Sequence, residues 1–566
     1  MKSLLEVKDL SVNFKQLNHM HTVVKRVHFN VAPGETLGIV GESGSGKSVT
    51  AKAVMHLLDE HQTDVTVQSM HYRNEKISSF SQKQMEKIRG KEMSMIFQDP
   101  MSAFNPTMKI GKQLIETARA HLKLSKKEAK TYALDMLTRV GIDQVETRFD
   151  QYPHEFSGGM LQRAMIAMAL ICRPKLLIAD EPTTALDVRI QAQILKLMKE
   201  LQQEFHMSII LITHDFGVVA GMCDRVVVMK DGEIVEENDV TAIFDSPQHP
   251  YTKRLLEALP RMDEPKQKDR THLEQETLIK AENLHKVFHL KNGKKVHAVN
   301  DVSFDIRKGE TLGLVGESGS GKSTTGRLLL QLESLTSGSV TYKGMRIHRF
   351  NKKERLALRR DIQIIFQDPK SSLNPRMKVI DIIAQPMHVH GLYPDKEKRT
   401  ARIEELLMLV GLDKEHMYRY PHEFSGGQQQ RIGIARALAV EPEFIVCDEI
   451  LSALDVSIQA QMVELLKNLQ EKLGLTYLFI AHDLAMVKHL CDRVAVMYQG
   501  KLIELGQSET VYRQPLHPYT RALIDAVPLP HPKKEKEKLL AYQPGTLTYQ
   551  FKETWLEKSA DHWVRE

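Results

Sequence analysis

The octapeptide Gly41-Glu42-Ser43-Gly44-Ser45-Gly46-Lys47-Ser48 occurs twice in this chain, the second time as Gly316-Glu317-Ser318-Gly319-Ser320-Gly321-Lys322-Ser323. Each copy follows a short apolar run, Leu37 to Val40 or Leu312 to Val315, and precedes residues that can continue as a helix. A strand, a glycine-rich turn and a helix start form a nest of backbone N–H groups suited to phosphate, a P-loop. Gly41 and Gly46 let the backbone bend closely around the anion. Lys47 or Lys322 is placed to reach the β- and γ-phosphates, and the Ser48 or Ser323 hydroxyl to ligate Mg²⁺. Two identical copies in corresponding places are not chance, so the chain is expected to bind nucleoside triphosphates at two sites.

The octapeptides belong to a larger repeat. Ser157-Gly158-Gly159 pairs with Ser425-Gly426-Gly427, Asp180-Glu181 with Asp448-Glu449, and His214 with His482, all at one constant offset. The P-loop lysines stand slightly further apart, which places an insertion between the P-loop and Gln98 or Gln367. A period this long is a duplicated domain rather than a solenoid. Within each copy, alternating apolar positions (Leu5, Val7, Val12, Phe14) read as early strands. Ala129, Ala133, Met136, Leu137 and Val140 fall at helix spacing with Gly141 as the stop; Ile403, Leu406, Leu407, Val410 and Gly411 repeat the pattern. Leu176–Ala179, Ile209–Ile212 and Val226–Met229 are short, continuously apolar runs, the mark of strands buried on both faces of a mainly parallel sheet. The expected division is residues 1–260 and 278–532 for the two domains, 261–277 for a charged linker, and 533–566 for a charged tail read as solvated.

Composition narrows the class. A net charge of +6 on 566 residues gives no electrostatic case for nucleic-acid binding. The four cysteines form no CxxC pair, so neither zinc ribbon nor disulfide framework is indicated. Charges interrupt the first residues, arguing against a secretory signal, and no run reaches the 18 or so apolar residues of a membrane span. A cytoplasmic protein is expected, meeting a membrane only through a partner.

The P-loops, Gln98/Gln367, the Phe-Ser-Gly-Gly segments ending at Gly159 and Gly427, the Ala-Leu-Asp segments ending at Asp187 and Asp455, and His214/His482 together resemble the nucleotide-binding domains of ABC ATPases, over almost the whole of both halves. The resemblance implies an α/β fold of two tandem P-loop NTPase (ABC-type) domains. Each has a mainly parallel sheet, a β-rich N-terminal part and a helical subdomain. It implies ATP and Mg²⁺ as cofactors, with Asp180 and Asp448 holding the Mg²⁺ shell and Glu181 and Glu449 as general bases on the attacking water. Gln98 and Gln367 touch metal and water, His214 and His482 the γ-phosphate, and Phe14 and Phe288 the adenine. It further implies a head-to-tail intramolecular dimer, in which Ser157 to Gly159 serve the second site and Ser425 to Gly427 the first. Met160 stands where the pattern has Gln, as at Gln428, and Ile450-Leu451 replaces Pro182-Thr183; both sites are expected to hydrolyse ATP, at unequal rates.

The ends of the two halves, Ser246 to Pro260 and Gln514 to Pro528, share His-Pro-Tyr-Thr. Prolines there fix a turn before a short amphipathic helix, physically a capping segment. The segment also resembles the C-terminal extension of ATPase subunits from the peptide/nickel uptake branch. That resemblance implies a bacterial importer of peptides or a related solute (oligopeptide, dipeptide, glutathione, nickel), peripheral on the inner face of the cell membrane. Its partners would be two transmembrane permease subunits and, through them, an extracellular solute-binding protein. Without cysteines after His517, no iron–sulfur cluster is expected. The alternative is a non-transport tandem ABC ATPase acting on ribosomes or another macromolecular machine.

Overall fold

The computed structural model of the chain describes residues 3–16, 19–183, 186–260, 262, 276–289, 295–452, 454–543, 554–559 and 561–565. Most of the linker expected over 261–277 lies outside this set, as do Ala185, Ala453 and tail residues 544–553, 560 and 566. Two compact units result. One comprises Met1–Leu259 with Asp455–Ser457 and Pro528–Gly545; the other comprises Pro260–Leu454, Ile458–Val527 and Thr546–Glu566.

In the first unit, strands Met93–Ile96, Leu176–Asp180, Ser208–Ile212, Thr36–Val40 and Arg225–Lys230 lie side by side and parallel, edged by antiparallel Glu233–Asp239. Every residue of Thr36–Val40, Leu176–Asp180 and Ser208–Ile212 is buried, which is why these stretches read as unbroken apolar runs. A second, antiparallel sheet is built on Leu5–Gln16, flanked by His19–Val31 and Ser69–Tyr72, with Leu5, Val7 and Val12 facing the core. The helical part consists chiefly of Ile110–Leu122, Lys126–Arg139 and Gly158–Leu170, joined through Leu114, Ala133, Leu137 and Ala164. Each fully buried Leu or Ile there contributes about 1.5–3 kcal/mol. Lys126–Arg139 starts at a Ser125/Glu128 capping box and stops at Gly141, whose φ is +75°, as the spacing predicts.

The second unit repeats this plan. Ile362–Ile365, Phe444–Asp448, Thr476–Ile480, Thr311–Val315 and Arg493–Tyr498 are parallel, followed by antiparallel Lys501–Gln507. In both units the two P-loops and the Gln, Glu and His candidates therefore follow the carboxyl ends of four adjacent parallel strands, where open α/β sheets gather ligands.

The tail departs from the solvated reading. Its charged run forms helix Pro532–Ala541, which belongs to the first unit and buries Pro532, Glu535 and Leu539 while Lys533, Lys534 and Glu537 face outward. Lys and Glu at three- and four-residue spacing pair along such a helix, as Lys538 does with Glu535 at 3.3 Å, so the run is helical as well as charged. The last residues form a hairpin, Trp555–Ser559 and His562–Arg565, that extends the second unit's sheet beyond Lys501–Gln507. Arg565 is buried, 2.8 Å from Asp301, with its guanidinium over the Trp555 ring. His562 Nε2 lies 2.8 Å from Oε1 of the fully buried Glu504. His562→Ala should remove this partner and lower the unfolding free energy of the second unit by about 1–3 kcal/mol. Denaturant titration with a probe in that unit tests it; an unchanged midpoint would show the hairpin to be passive.

Candidate active site

The P-loop backbone is possible only with glycine at two places. A Cβ at Gly41 would stand 2.2 Å from the Met229 carbonyl oxygen, and one at Gly316 2.2 Å from that of Met497. Gly46 and Gly321 hold φ of +97° and +102° and abut the carbonyls of Val23 and Ala298 from the antiparallel sheet. The loop so formed encloses its lysine. Lys47 Nζ donates to the carbonyls of Gly41 (2.8 Å) and Glu42 (2.7 Å) and to Ser45 Oγ (3.3 Å). Lys322 Nζ donates to Gly316 (2.8 Å) and Glu317 (2.9 Å). Burial lowers the pKa of Lys47, opposed above all by the charge of Glu181.

The helix after each P-loop carries the hydroxyl toward the next strand but one. Ser48 Oγ donates to Asp180 Oδ1 at 2.8 Å, and Ser323 Oγ to Asp448 Oδ1 at 2.8 Å. Burial raises the pKa of both aspartates despite these hydrogen bonds. A carboxylate whose charge is poorly solvated, beside a hydroxyl, is the hard oxygen set that Mg²⁺ takes. Among the described residues, Ser320 Oγ in the second loop is buried without a partner, a polar atom left over for a ligand.

One residue on, the chain turns sharply. Glu181 and Glu449 hold φ of +48° and +49°, in the left-handed region, while their N–H groups still bond Ile212 and Ile480 of the neighbouring strand at 2.9 Å. For a non-glycine residue this costs about 1–3 kcal/mol, a strain that clusters at functional positions. The turn swings each carboxylate between two partners. Gln98 Nε2 donates to Glu181 Oε2 and Gln367 Nε2 to Glu449 Oε2, both at 2.8 Å. His214 Nδ1 is 3.3 Å from Glu181 Oε1; His482 Nδ1 is 3.7 Å from Glu449 Oε2. Thus within each unit Lys, Ser, Asp, Glu, Gln and His of the predicted set converge.

The remaining predicted residues sit elsewhere in each unit. Ser157 and Ser425 cap helices Gly158–Leu170 and Gly426–Leu438, each accepting an N–H at 3.4 Å. Gln428 returns a side-chain bond to the Ser425 N–H at 3.1 Å, which Met160 cannot do for Ser157. Behind the glutamates the halves also differ: buried Gln162 donates to the Pro182 carbonyl, while the equally buried Gln430 amide has no partner among the described residues. Phe14 is half-buried against the first unit's β-rich core, and Lys286 Nζ lies 4.8 Å from the Phe288 ring centroid.

Two contacts escape sequence reasoning. The Glu42 N–H donates to the hydroxyl of Tyr251 at 3.1 Å, and the Glu317 N–H to that of Tyr519 at 3.0 Å. Both tyrosines come from the His-Pro-Tyr-Thr segments, read above as capping turns; exact repetition of a tyrosine in both halves was the available signal.

The histidines have an electrostatic signature. Burial alone would lower the pKa of His482, but the nearby Glu449 carboxylate outweighs it and the net direction is up; His482 in turn lowers Glu449. Because the folded value lies above the unfolded ~6.5, the pair stabilises the fold fully below ~6.5, and that contribution is lost as pH rises through the folded value. In nucleotide-free protein, Glu449→Gln should shift the His482 titration to lower pH by NMR. A titration that ignores the substitution would break the assigned coupling.

Residues 24–184 and 299–452 match the family described as ABC transporter, and residues 235–289 and 503–550 the family described as oligopeptide/dipeptide transporter, C-terminal region. The glutathione import ATP-binding protein GsiA of Escherichia coli strain K12 is 49% identical over 567 residues, covering 94% of this chain and 91% of that protein. That of Escherichia coli O6:H1 is 48% identical over 566 residues with the same coverage. Among solved structures, cbiO1 from Clostridium perfringens, part of the ABC transporter complex cbiONQ, aligns with a TM-score of 0.38 at 26% identity, covering 42% of this chain and 92% of that one. The chain belongs to the ABC transporter family, as an ATP-hydrolysing subunit that carries two ATP-binding domains.

Proposed function

We propose that this ATPase drives import of glutathione or a chemically close short peptide. The observation that carries this reading is the 49% identity to a glutathione import ATP-binding protein across 94% of the chain. Both C-terminal extensions match the oligopeptide/dipeptide transporter region, and nothing supports action on ribosomes.

In this reading each P-loop cradles the triphosphate of ATP, with Lys47 or Lys322 released from its own loop carbonyls onto the β- and γ-phosphates. Ser48 with Asp180, and Ser323 with Asp448, hold Mg²⁺, which neutralises phosphate charge when bound. Glu181 and Glu449 accept the proton of the attacking water, oriented by Gln98 and Gln367. His214 and His482 steady the γ-phosphate as its charge spreads. Phe14 and Phe288 stack on adenine. Ser157 to Gly159 and Ser425 to Gly427 offer helix N-termini to the nucleotide held by the other domain, an intramolecular pairing favoured by the high effective concentration of a single chain. Gln98 and Gln367 then couple site closure to two permease subunits, on which the protein sits at the inner face of the membrane and through which it serves a solute-binding protein. Among the described residues no helix is long and apolar enough to cross a membrane itself.

Two measurements test this. Glu181→Gln with Glu449→Gln should lower ATP turnover ~10²- to 10⁴-fold while leaving ATP binding intact; retained turnover would unseat the glutamates as bases. The same variant, tagged and captured with ATP from detergent-solubilised membranes, should retain multi-span permease subunits. Cells lacking the protein should lose uptake of labelled glutathione; unaffected glutathione uptake with lost dipeptide uptake would move the solute to the dipeptide class.

A further inference from the structure

At the end of each ATPase unit the same chain of hydrogen bonds runs from a carboxylate to the P-loop. Glu236, on strand Glu233–Asp239, accepts the N–H groups of Gln248 (2.7 Å) and His249 (3.0 Å). His249 Nδ1 accepts the Tyr251 N–H at 3.1 Å, capping helix Pro250–Glu257. The Tyr251 hydroxyl accepts the Glu42 N–H at 3.1 Å. In the second unit Glu504 accepts Leu516 (2.9 Å) and His517 (3.0 Å), His517 Nδ1 accepts Tyr519 N–H (3.0 Å), and the Tyr519 hydroxyl accepts the Glu317 N–H (3.0 Å). Tyr251 and Tyr519 are 4% and 0% exposed, so water does not compete for these hydroxyls. The rings are braced too. Lys230 Nζ lies 5.5 Å from the Tyr251 centroid, and the Tyr498 ring lies 4.4 Å from that of Tyr519.

We propose that Tyr251 and Tyr519 are positioning residues for nucleotide binding: each hydroxyl fixes the second residue of its P-loop and thereby pre-organises the N–H nest that receives the phosphates. A P-loop binds anions because several N–H groups converge before the ligand arrives. A loop free to rotate peptide 41–42 or 316–317 would have to be ordered at the moment of binding, and that cost would appear as lost affinity. Lys47 and Lys322 grip the carbonyls of Gly41 and Gly316, in the same peptides whose N–H groups the tyrosines hold, and those of Glu42 and Glu317 in the peptides that follow. On this account the His-Pro-Tyr-Thr segment is a strut between the end of each domain and its phosphate site.

The test is Tyr→Phe, which removes the hydroxyl and keeps the ring. In full-length Glu181→Gln/Glu449→Gln protein, Tyr251→Phe/Tyr519→Phe should weaken ATP binding ~3- to 10-fold by calorimetry, the worth of one hydrogen bond. In the catalytically intact background KM for ATP should rise by a similar factor with kcat within about twofold. Tyr251→Phe alone should weaken the isotherm less than the double substitution, because each strut reaches its own P-loop. Unaltered affinity and KM would overturn the inference. So would a fall in kcat at constant KM, which marks a merely structural role. The inference rests on nucleotide binding at the P-loops. Absence of binding by the parent protein would sink that premise too, whereas equal binding by parent and variant sinks only the strut.

Discussion

Two ammonium groups are enclosed by protein, and the P-loop is shaped around them. Lys47 is 5% exposed and Lys322 4% exposed. An isolated buried charge is untenable, so each is held by loop carbonyls, and for Lys47 the charges of Glu181 and Asp180 also oppose loss of its proton. These carbonyl bonds keep the lysine charged and aimed, and in the proposed reading a triphosphate would exchange them for stronger charge-assisted bonds. The arrangement demands a loop that closes on itself, hence glycine where Met229 or Met497 presses from the adjacent strand.

The sheet supplies the rest of the geometry. Because four parallel strands end together, residues far apart in sequence reach one point with little freedom: Gln98 and Glu181 meet at 2.8 Å across adjacent strands. The left-handed turn at Glu181 and Glu449 is what bends the carboxylate away from strand direction, so that one oxygen meets glutamine and the other lies toward histidine. In the second unit both contacts use Oε2 and the histidine stands 0.4 Å farther off, 3.7 against 3.3 Å. The helix caps at Met160 and Gln428 differ as well, so the two units are chemically alike and geometrically unequal.

Much of this is legible in the sequence. Unbroken apolar runs gave buried parallel strands, because a strand covered on both faces needs no polar side. Gly141 and Gly411 marked helix ends through a backbone conformation that only glycine adopts cheaply. What was illegible depends on partners distant in sequence. No local pattern tells that Tyr251 touches residue 42, since a capping turn and a strut share the same prolines and histidine. The tail misled for a related reason: Lys and Glu in alternation fit a solvated segment and a one-sided helix equally well. Only the burial of Pro532, Glu535 and Leu539 against the first unit separates the two.

The same segment shows how a duplicated chain ceases to be symmetric. Helix Phe216–Met222 of the first unit carries Gly217 and Gly221, and these are where the late segment lies. A Cβ at Gly217 would come 2.6 Å from Pro528 Cβ, and one at Gly221 3.0 Å from Glu535 Cγ. At the corresponding places of helix Leu484–Leu490 and its end the second half has Ala485 and His489, which leave no such groove. The glycines weaken a helix interior by about 0.5–1 kcal/mol each, and their use here is close approach rather than flexibility. One consequence is topological. The first unit is completed by residues more than 300 positions away in sequence, so these contacts carry a long loop closure and should form late in folding. The His562–Glu504 contact has the opposite character, since it ties the final strand to a carboxylate that already anchors the second unit's strut.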